Sequence, residues 1–323
     1  MKNRGFSDKK ILVLGHSNVD VMAGPVDLSG ITAGSQPMED IVISYGGGAL
    51  NEAVILKRLG ADVQLVSKVG EDEAGEQLLG FLESEGISCE SIIKDPTSPT
   101  SVNVVLVDEK GERFFLTDPK GANRKMDLGD VVPLLKTETD IVSFGAMFVS
   151  PLLDISALTR MFKEIKSHSG RLLAVDMTKP KNGETVRDLR PCLRYVDFIF
   201  PNEEESRMLT GKEDIYENAL IFAEAGVKCP VIKRGSKGCI IYDNGRFMEI
   251  PAYPVKNAKD TTGAGDSFVA GFLYGISKGF SLEECARFGN VTASCVVEGM
   301  GATYGVDSVQ KPMERFREMG TVL

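Results

Sequence analysis

Asp260-Thr261-Thr262-Gly263-Ala264-Gly265-Asp266-Ser267-Phe268 is a glycine-rich turn that runs straight into the apolar helical stretch Val269-Ala270-Gly271-Phe272. Glycine lets a backbone come close to a ligand. The first turn of a helix leaves its N–H groups without intrahelical partners, so such a junction forms an anion site reinforced by the helix dipole. A phosphoryl group in transfer spreads negative charge over its equatorial oxygens, which the amides of Gly263, Ala264 and Gly265 could bind. Asp266 follows directly, a carboxylate able to take the proton of an attacking hydroxyl, and the helix N-terminus is expected to keep it ionised. A lone G-x-G-D would be an ordinary helix cap. Two threonines and Asp260 leading the same turn make phosphoryl transfer the more specific reading.

Outward from this turn, strand-like and helical segments alternate. Ile11 to Leu14 reads as a buried strand, Ala49 to Leu59 as a helix stopped by Gly60, and Val63 to Val69 as the next strand. Ala74 to Glu85, Leu153 to Lys166, the stretch from Glu203 and Tyr216 to Ala225 read as helices; Ile141 to Phe144, Leu172 to Val175, Val196 to Phe200 and Pro230 to Lys233 read as strands. Two long helices, Ala264 to Ser277 and Leu282 to Val297, are expected to close the chain. This order predicts an α/β fold: a mostly parallel central sheet with helices on both faces. Asp40 to Tyr45 and the hairpin formed by Ser101 to Val107, the turn at residues 109–112 and Arg113 to Thr117 break the alternation. They are expected to form a small attached sheet, either a flap over a pocket or a solvent-facing decoration.

Composition narrows the function. A net charge of −9 with dispersed basic residues disfavours nucleic acid as a partner, and no apolar run is long enough to span a membrane. The polar stretch Met1 to Lys10 is unlike a signal peptide, and six scattered cysteines without a C-x-x-C pair suit buried thiols in a reducing compartment, so a cytoplasmic protein is expected. Only two histidines, His16 and His168, are present, which disfavours His-rich metal hydrolases and Ser-His-Asp hydrolases. Gly15-His16-Ser17-Asn18-Val19-Asp20 stands where a dinucleotide-binding dehydrogenase needs G-x-G-x-x-G, and no G-K-[ST] of a P-loop is present in the Gly46 segment.

D-T-T-G-A-G-D-S-F resembles the C-terminal signature of the ribokinase-like (PfkB) carbohydrate kinases. Gly46-Gly47-Gly48-Ala49-Leu50-Asn51 with Leu59-Gly60, Val69 to Gly75, Asn202-Glu203-Glu204-Glu205 and Lys233-Arg234-Gly235-Ser236-Lys237-Gly238 are similar to further motifs of that family, in the expected order along nearly the whole chain. The resemblance implies one kinase domain over residues 1–323, with β-lid segments near 36–46 and 97–120, ATP and Mg²⁺, and direct transfer of the γ-phosphoryl group to a hydroxyl. It makes Asp266 the base and Gly263, Ala264 and Gly265 the anion hole. On the substrate side it implies Asn18, Asp20, Gly46, Gly47, Asn51 and Asn103; taken alone, Asn18 and Asp20 would read as turn residues.

On the nucleotide side the resemblance implies Asn202, Lys233, Gly235, Gly238 and Asn290, with Glu205 holding Mg²⁺ through water. Some members bind a monovalent cation such as K⁺, for which Asp260, Thr262 and Gly301 are the matching positions, although Gly305 stands where such members offer a hydroxyl. Lid pairing in the family implies a homodimer. The substrate expected is a sugar or sugar-like small molecule. A nucleoside or sugar phosphate is the alternative, the latter with Lys120 or Arg124 as cationic contacts, and a catalytically silent nucleotide or sugar sensor is the reading from another class.

Overall fold

The computed structural model describes residues 9–27, 35, 37–108 and 113–321. The first half runs β1 (Ile11–Gly15), β2 (Asn18–Gly24), β3 (Asp40–Gly46), α1 (Gly48–Arg58), β4 (Val63–Gly70), α2 (Glu73–Ser84), β5 (Ile92–Asp95), β6 (Val102–Val107), β7 (Arg113–Leu116), α3 (Leu128–Val131), β8 (Ile141–Met147) and α4 (Ile155–Ser167). Then come β9 (Leu172–Met177), α5 (Val186–Leu193), β10 (Phe198–Phe200), α6 (Glu203–Thr210), α7 (Ile215–Glu224), β11 (Cys229–Lys233), β12 (Cys239–Asp243), β13 (Arg246–Ile250), α8 (Ala264–Lys278), α9 (Leu282–Val296) and α10 (Gln310–Thr321).

Among the described residues, nine strands form one sheet in the order β13-β12-β11-β10-β9-β8-β1-β4-β5, parallel from β11 to β5 and antiparallel at the β12–β13 edge. Both faces are covered, which the apolar run of β1 shows directly. Side chains alternate across a strand, and Ile11 and Val13 pack with α1, α2, α8 and α9 while Leu12 and Leu14 pack with α4 and α5 on the opposite face. No described helix is long and apolar enough to cross a membrane.

A second sheet of four strands, β3-β2-β6-β7, is the expected lid. The turn read at residues 109–112 lies outside the described residues, as does residue 36; the strands on either side of that turn pair antiparallel, Val107 opposite Arg113. Three readings change. Asn18 and Asp20, which taken alone read as turn residues, lie on the lid strand β2, where Asn18 pairs with Gly46 and Asp20 with Ser44 on one side and with Asn103 on the other. Cys239 to Ile250 makes an antiparallel hairpin on the sheet edge. A third helix, α10, follows the two long ones, with Met313 and Phe316 packed against the core.

Candidate active site

The site lies where the lid, the glycine turn and the C-terminal ends of the parallel strands meet, the usual place for a ligand in an open α/β sheet. Lid register puts Asn18, Asp20 and Asn103 side by side. One Asp20 carboxylate oxygen accepts from Asn18 Nδ2 at 2.6 Å and Asn103 Nδ2 at 2.9 Å. Burial raises the Asp20 pKa, opposed by those two hydrogen bonds and by the charge of Arg113. Gly46 ends β3 and Gly47 caps α1, so the chain turns directly from lid to helix, and Asn51 is delivered in the helix's first turns.

Asn51 joins the two halves of the site. Its Nδ2 donates to Asp266 Oδ2 at 2.7 Å across 215 residues of sequence, and its Oδ1 is buried with no hydrogen-bond partner among the described residues. Gly263 caps α8 with φ +73°, and a Cβ there would collide with the backbone of Ala302, so both the conformation and the space require glycine. Asp266 sits in the first turn of α8. Burial, followed by the negative charge of Asp176, pushes its pKa to about 6, against the Asn51 hydrogen bond and the Lys233 charge. The helix N-terminus expected to hold it low is outweighed by desolvation. The carboxylate is therefore ionised at neutral pH and protonated, hence unable to accept a proton, below about 6.

Asp260 staples two loops. Its Oδ1 accepts from Thr262 N at 2.9 Å, its Oδ2 from Gly301 N at 2.7 Å, and Arg113 of the lid forms an ion pair with the same carboxylate. The spacing N-x-x-E has a local cause: Asn202 and Glu205 form a reciprocal capping box at the start of α6, both hydrogen bonds 2.8 Å. Glu205 is buried, and burial raises it to about 7, with Lys233 opposing. Of its two oxygens, Oε2 is the one that accepts in the cap.

Gly235 and Gly238 frame a short turn between β11 and β12, and Asn290 of α9 donates to the carbonyls of Ile250 and Pro251 at 3.3 and 3.0 Å, so Gly238 and Asn290 meet at the end of β13. Lys233 is not at that rim. Its Nζ lies 2.7 Å from Asp176 Oδ1 and beside Gly265. Arg124 donates to Val149 O at 3.2 Å; together with burial, which dominates, its charge lowers His16 to about 4, while Lys120 is exposed. Arg113, Asp176 and Glu52 belong to the same neighbourhood and were not singled out from the sequence. Asp176 had a signal, as a carboxylate near the C-terminal end of a parallel strand.

Residues 8–308 match the pfkB family carbohydrate kinases. The chain belongs to the PfkB family. It is thus a kinase of the ribokinase-like fold, whose members phosphorylate sugars and nucleosides with ATP. An uncharacterized sugar kinase of Archaeoglobus fulgidus is 34% identical over 78% of this chain and 97% of its own length. A cytidine kinase of Thermococcus kodakarensis is 32% identical over 90% of this chain and 97% of its own. The structure of Arabidopsis thaliana ribokinase complexed with ribose and ATP has the same fold, with a TM-score of 0.81, 23% identity, and coverage of 96% of this chain and 99% of that one.

Proposed function

We propose that this PfkB kinase transfers the γ-phosphoryl group of ATP to a hydroxyl of a sugar or sugar-like molecule, with Asp266 as general base and the amides of Gly263, Ala264 and Gly265 as the anion hole. One observation carries the reading: a buried carboxylate, oriented by Asn51, follows directly on a glycine turn whose amides open a helix. The row Asn18, Asp20 and Asn103 offers donors and acceptors suited to neighbouring hydroxyls, and the lid above it would exclude the water that otherwise takes the phosphoryl group.

Magnesium is matched by one donor: Glu205 is buried at the start of α6, and the cap uses its Oε2, so Oε1 could receive a water of the ion. An ion carried on the nucleotide phosphates, reaching Glu205 through water, is the arrangement such a hard cation favours. When bound it would neutralise charge on the phosphates, and Gly235, Gly238 and Asn290 would face the adenosine. An ADP-release assay over ribose, other sugars, sugar acids, sugar phosphates and cytidine tests the reading; nucleotide binding without turnover on any of them would favour a silent sensor. A nucleoside is the second reading, favoured by the 32% identity to a cytidine kinase over 90% of the chain.

A monovalent cation at Asp260, Thr262 and Gly301 fits less well. Both Asp260 oxygens already accept backbone amides, and Arg113 brings a positive charge to them from the lid. Replacing K⁺ by a bulky organic cation is expected to leave kcat nearly unchanged; activation by K⁺ of roughly tenfold, about 1.4 kcal/mol, would overturn this.

The lid supports a homodimer. Its register puts Asp20, Ser44 and Asn103 on one face and Ile43, Val104 and Leu116, with Ile41 and Phe114, on the other. Those five apolar side chains are 36–69% exposed, a patch of the kind that marks an interface. Light scattering should give twice the chain mass, and Ile43→Lys with Phe114→Glu should give a monomer. A monomeric wild type would remove the proposal.

A further inference from the structure

Lys233 is the last residue of β11 and Asp176 the penultimate one of β9, the two strands that flank β10, and their side chains meet at 2.7 Å while only 12% and 7% exposed. Removing two charges from water is costly, and a buried ion pair is seldom the most stable solution for a core. A role other than packing is therefore worth seeking. Gly265 supplies the second observation. Its backbone is not left-handed, and what a Cβ there would meet is Lys233 Nζ at 3.2 Å and Cε at 3.9 Å. Glycine at this position keeps open the side of the anion turn on which the ammonium lies.

The charged groups around Asp266 come from several elements. Lys233 faces Asp176 of β9, Glu205 of α6 and Asp266 of α8. Glu52 of α1 is buried, and burial raises its pKa well above the usual carboxylate range, with the charges of Asp176 and Asp266 adding to the rise and the Ser143 hydrogen bond and the Lys233 charge opposing it. His16, in contact with the same Gly48 that borders Asp266, is held neutral by burial and Arg124. Asp260 is paired with Arg113. Lys233 is thus the one cation directly among three carboxylates near the glycine turn in the described residues, and Asp176 is the one that fixes it.

We propose that Lys233 and Asp176 are a positioning dyad for phosphoryl transfer: Asp176 holds the Lys233 ammonium beside Gly265, where its charge acts both on the group bound by the glycine turn and on Asp266. The proposal rests on the kinase reading above. Burial alone would lower Lys233, but the carboxylates of Asp176 and Glu205 hold it above the ordinary lysine range, so the charge is permanent. In a water-excluded site a fixed charge of this kind needs no reorganisation as the transition state forms.

The two members act on Asp266 with opposite sign, which makes the dyad testable. The Asp176 charge raises Asp266 and the Lys233 charge lowers it. Carbon-13 NMR titration of the Asp266 carboxyl in the ligand-free protein should therefore move upward in Lys233→Met, downward in Asp176→Asn, and return near the wild-type value of about 6 in the double variant. Equal directions, or no movement in either single variant, would make the pair structural.

At a pH high enough to ionise Asp266 throughout, Lys233→Met should lower kcat by about 10²-fold with KM for ATP little changed, in the range of a lost anion-hole contact. Lys233→Arg should recover part of it. A raised KM for ATP with intact kcat would instead make Lys233 a nucleotide contact and overturn the dyad. Lys233→Met leaves Asp176 buried without a partner and can fail to fold; Asp176→Asn and the double variant avoid that and still read the sign. Because the titration needs no substrate, a wild type without turnover would defeat the kinase reading while leaving the dyad to be decided by NMR.

Discussion

Asp266→Asn lowers kcat by about 10²–10⁴-fold, the usual worth of a general base, with KM for ATP and for the acceptor little changed. In energy this is about 2.7–5.4 kcal/mol of transition-state stabilisation. The expectation follows from what the substitution keeps. Asparagine has the same shape and retains an oxygen for Asn51 Nδ2, so the link between α1 and α8 survives. It cannot accept a proton from the attacking hydroxyl. It also loses the titration: the wild-type kcat/KM should fall as pH drops through about 6, because a base whose pKa is raised to that value is protonated below it. The residual activity of the variant should lack that acid limb. Steady-state ADP release over pH measures both features, and a variant with near-wild-type kcat, or with the same acid limb, would take Asp266 out of the mechanism.

The sequence shows the parts of this site that are contiguous and hides those that meet through the fold. Gly263 to Asp266 form one turn, and their chemistry can be read from adjacency. N-x-x-E is equally local, because a capping box is a contact between a helix cap and its third residue. The alternation of strand and helix is also local, and most of the main sheet follows from it.

Taken without the resemblance, Asn18 and Asp20 read as turn residues, because a short polar alternation on one face of a lid strand resembles a loop; their place depends on pairing with β3 and β6. Arg113 lies 147 residues from Asp260, and Asp176 lies 57 from Lys233, so nothing at either end announces the partner. The raised Asp266 was invisible for the same reason. A helix N-terminus can be read from sequence, whereas the desolvation that outweighs it comes from the surrounding fold.

Gly263→Ala should be nearly as damaging to turnover as loss of the base, and it separates the anion hole from the acid–base step. The residue has φ +73° at the N-cap of α8, and a Cβ would run into the backbone of Ala302. An alanine can relieve this only by shifting the turn, which displaces the amides of residues 263–265 together. Loss of a single preorganised donor of this kind costs about 10²–10³-fold in kcat. Gly60→Ala is the matched control. It has φ +86° with nothing within 4 Å of its would-be Cβ, and it stands just beyond the C-terminal end of α1. It therefore suffers the conformational strain, about 1–2 kcal/mol, without the collision and away from the cleft. Both variants should melt earlier than wild type, while kcat should collapse only in Gly263→Ala. If the two lost stability alike and both kept wild-type kcat, the amides of the turn would not be binding the transferring group. The phosphoryl site would then have to be sought beyond Gly263 to Gly265.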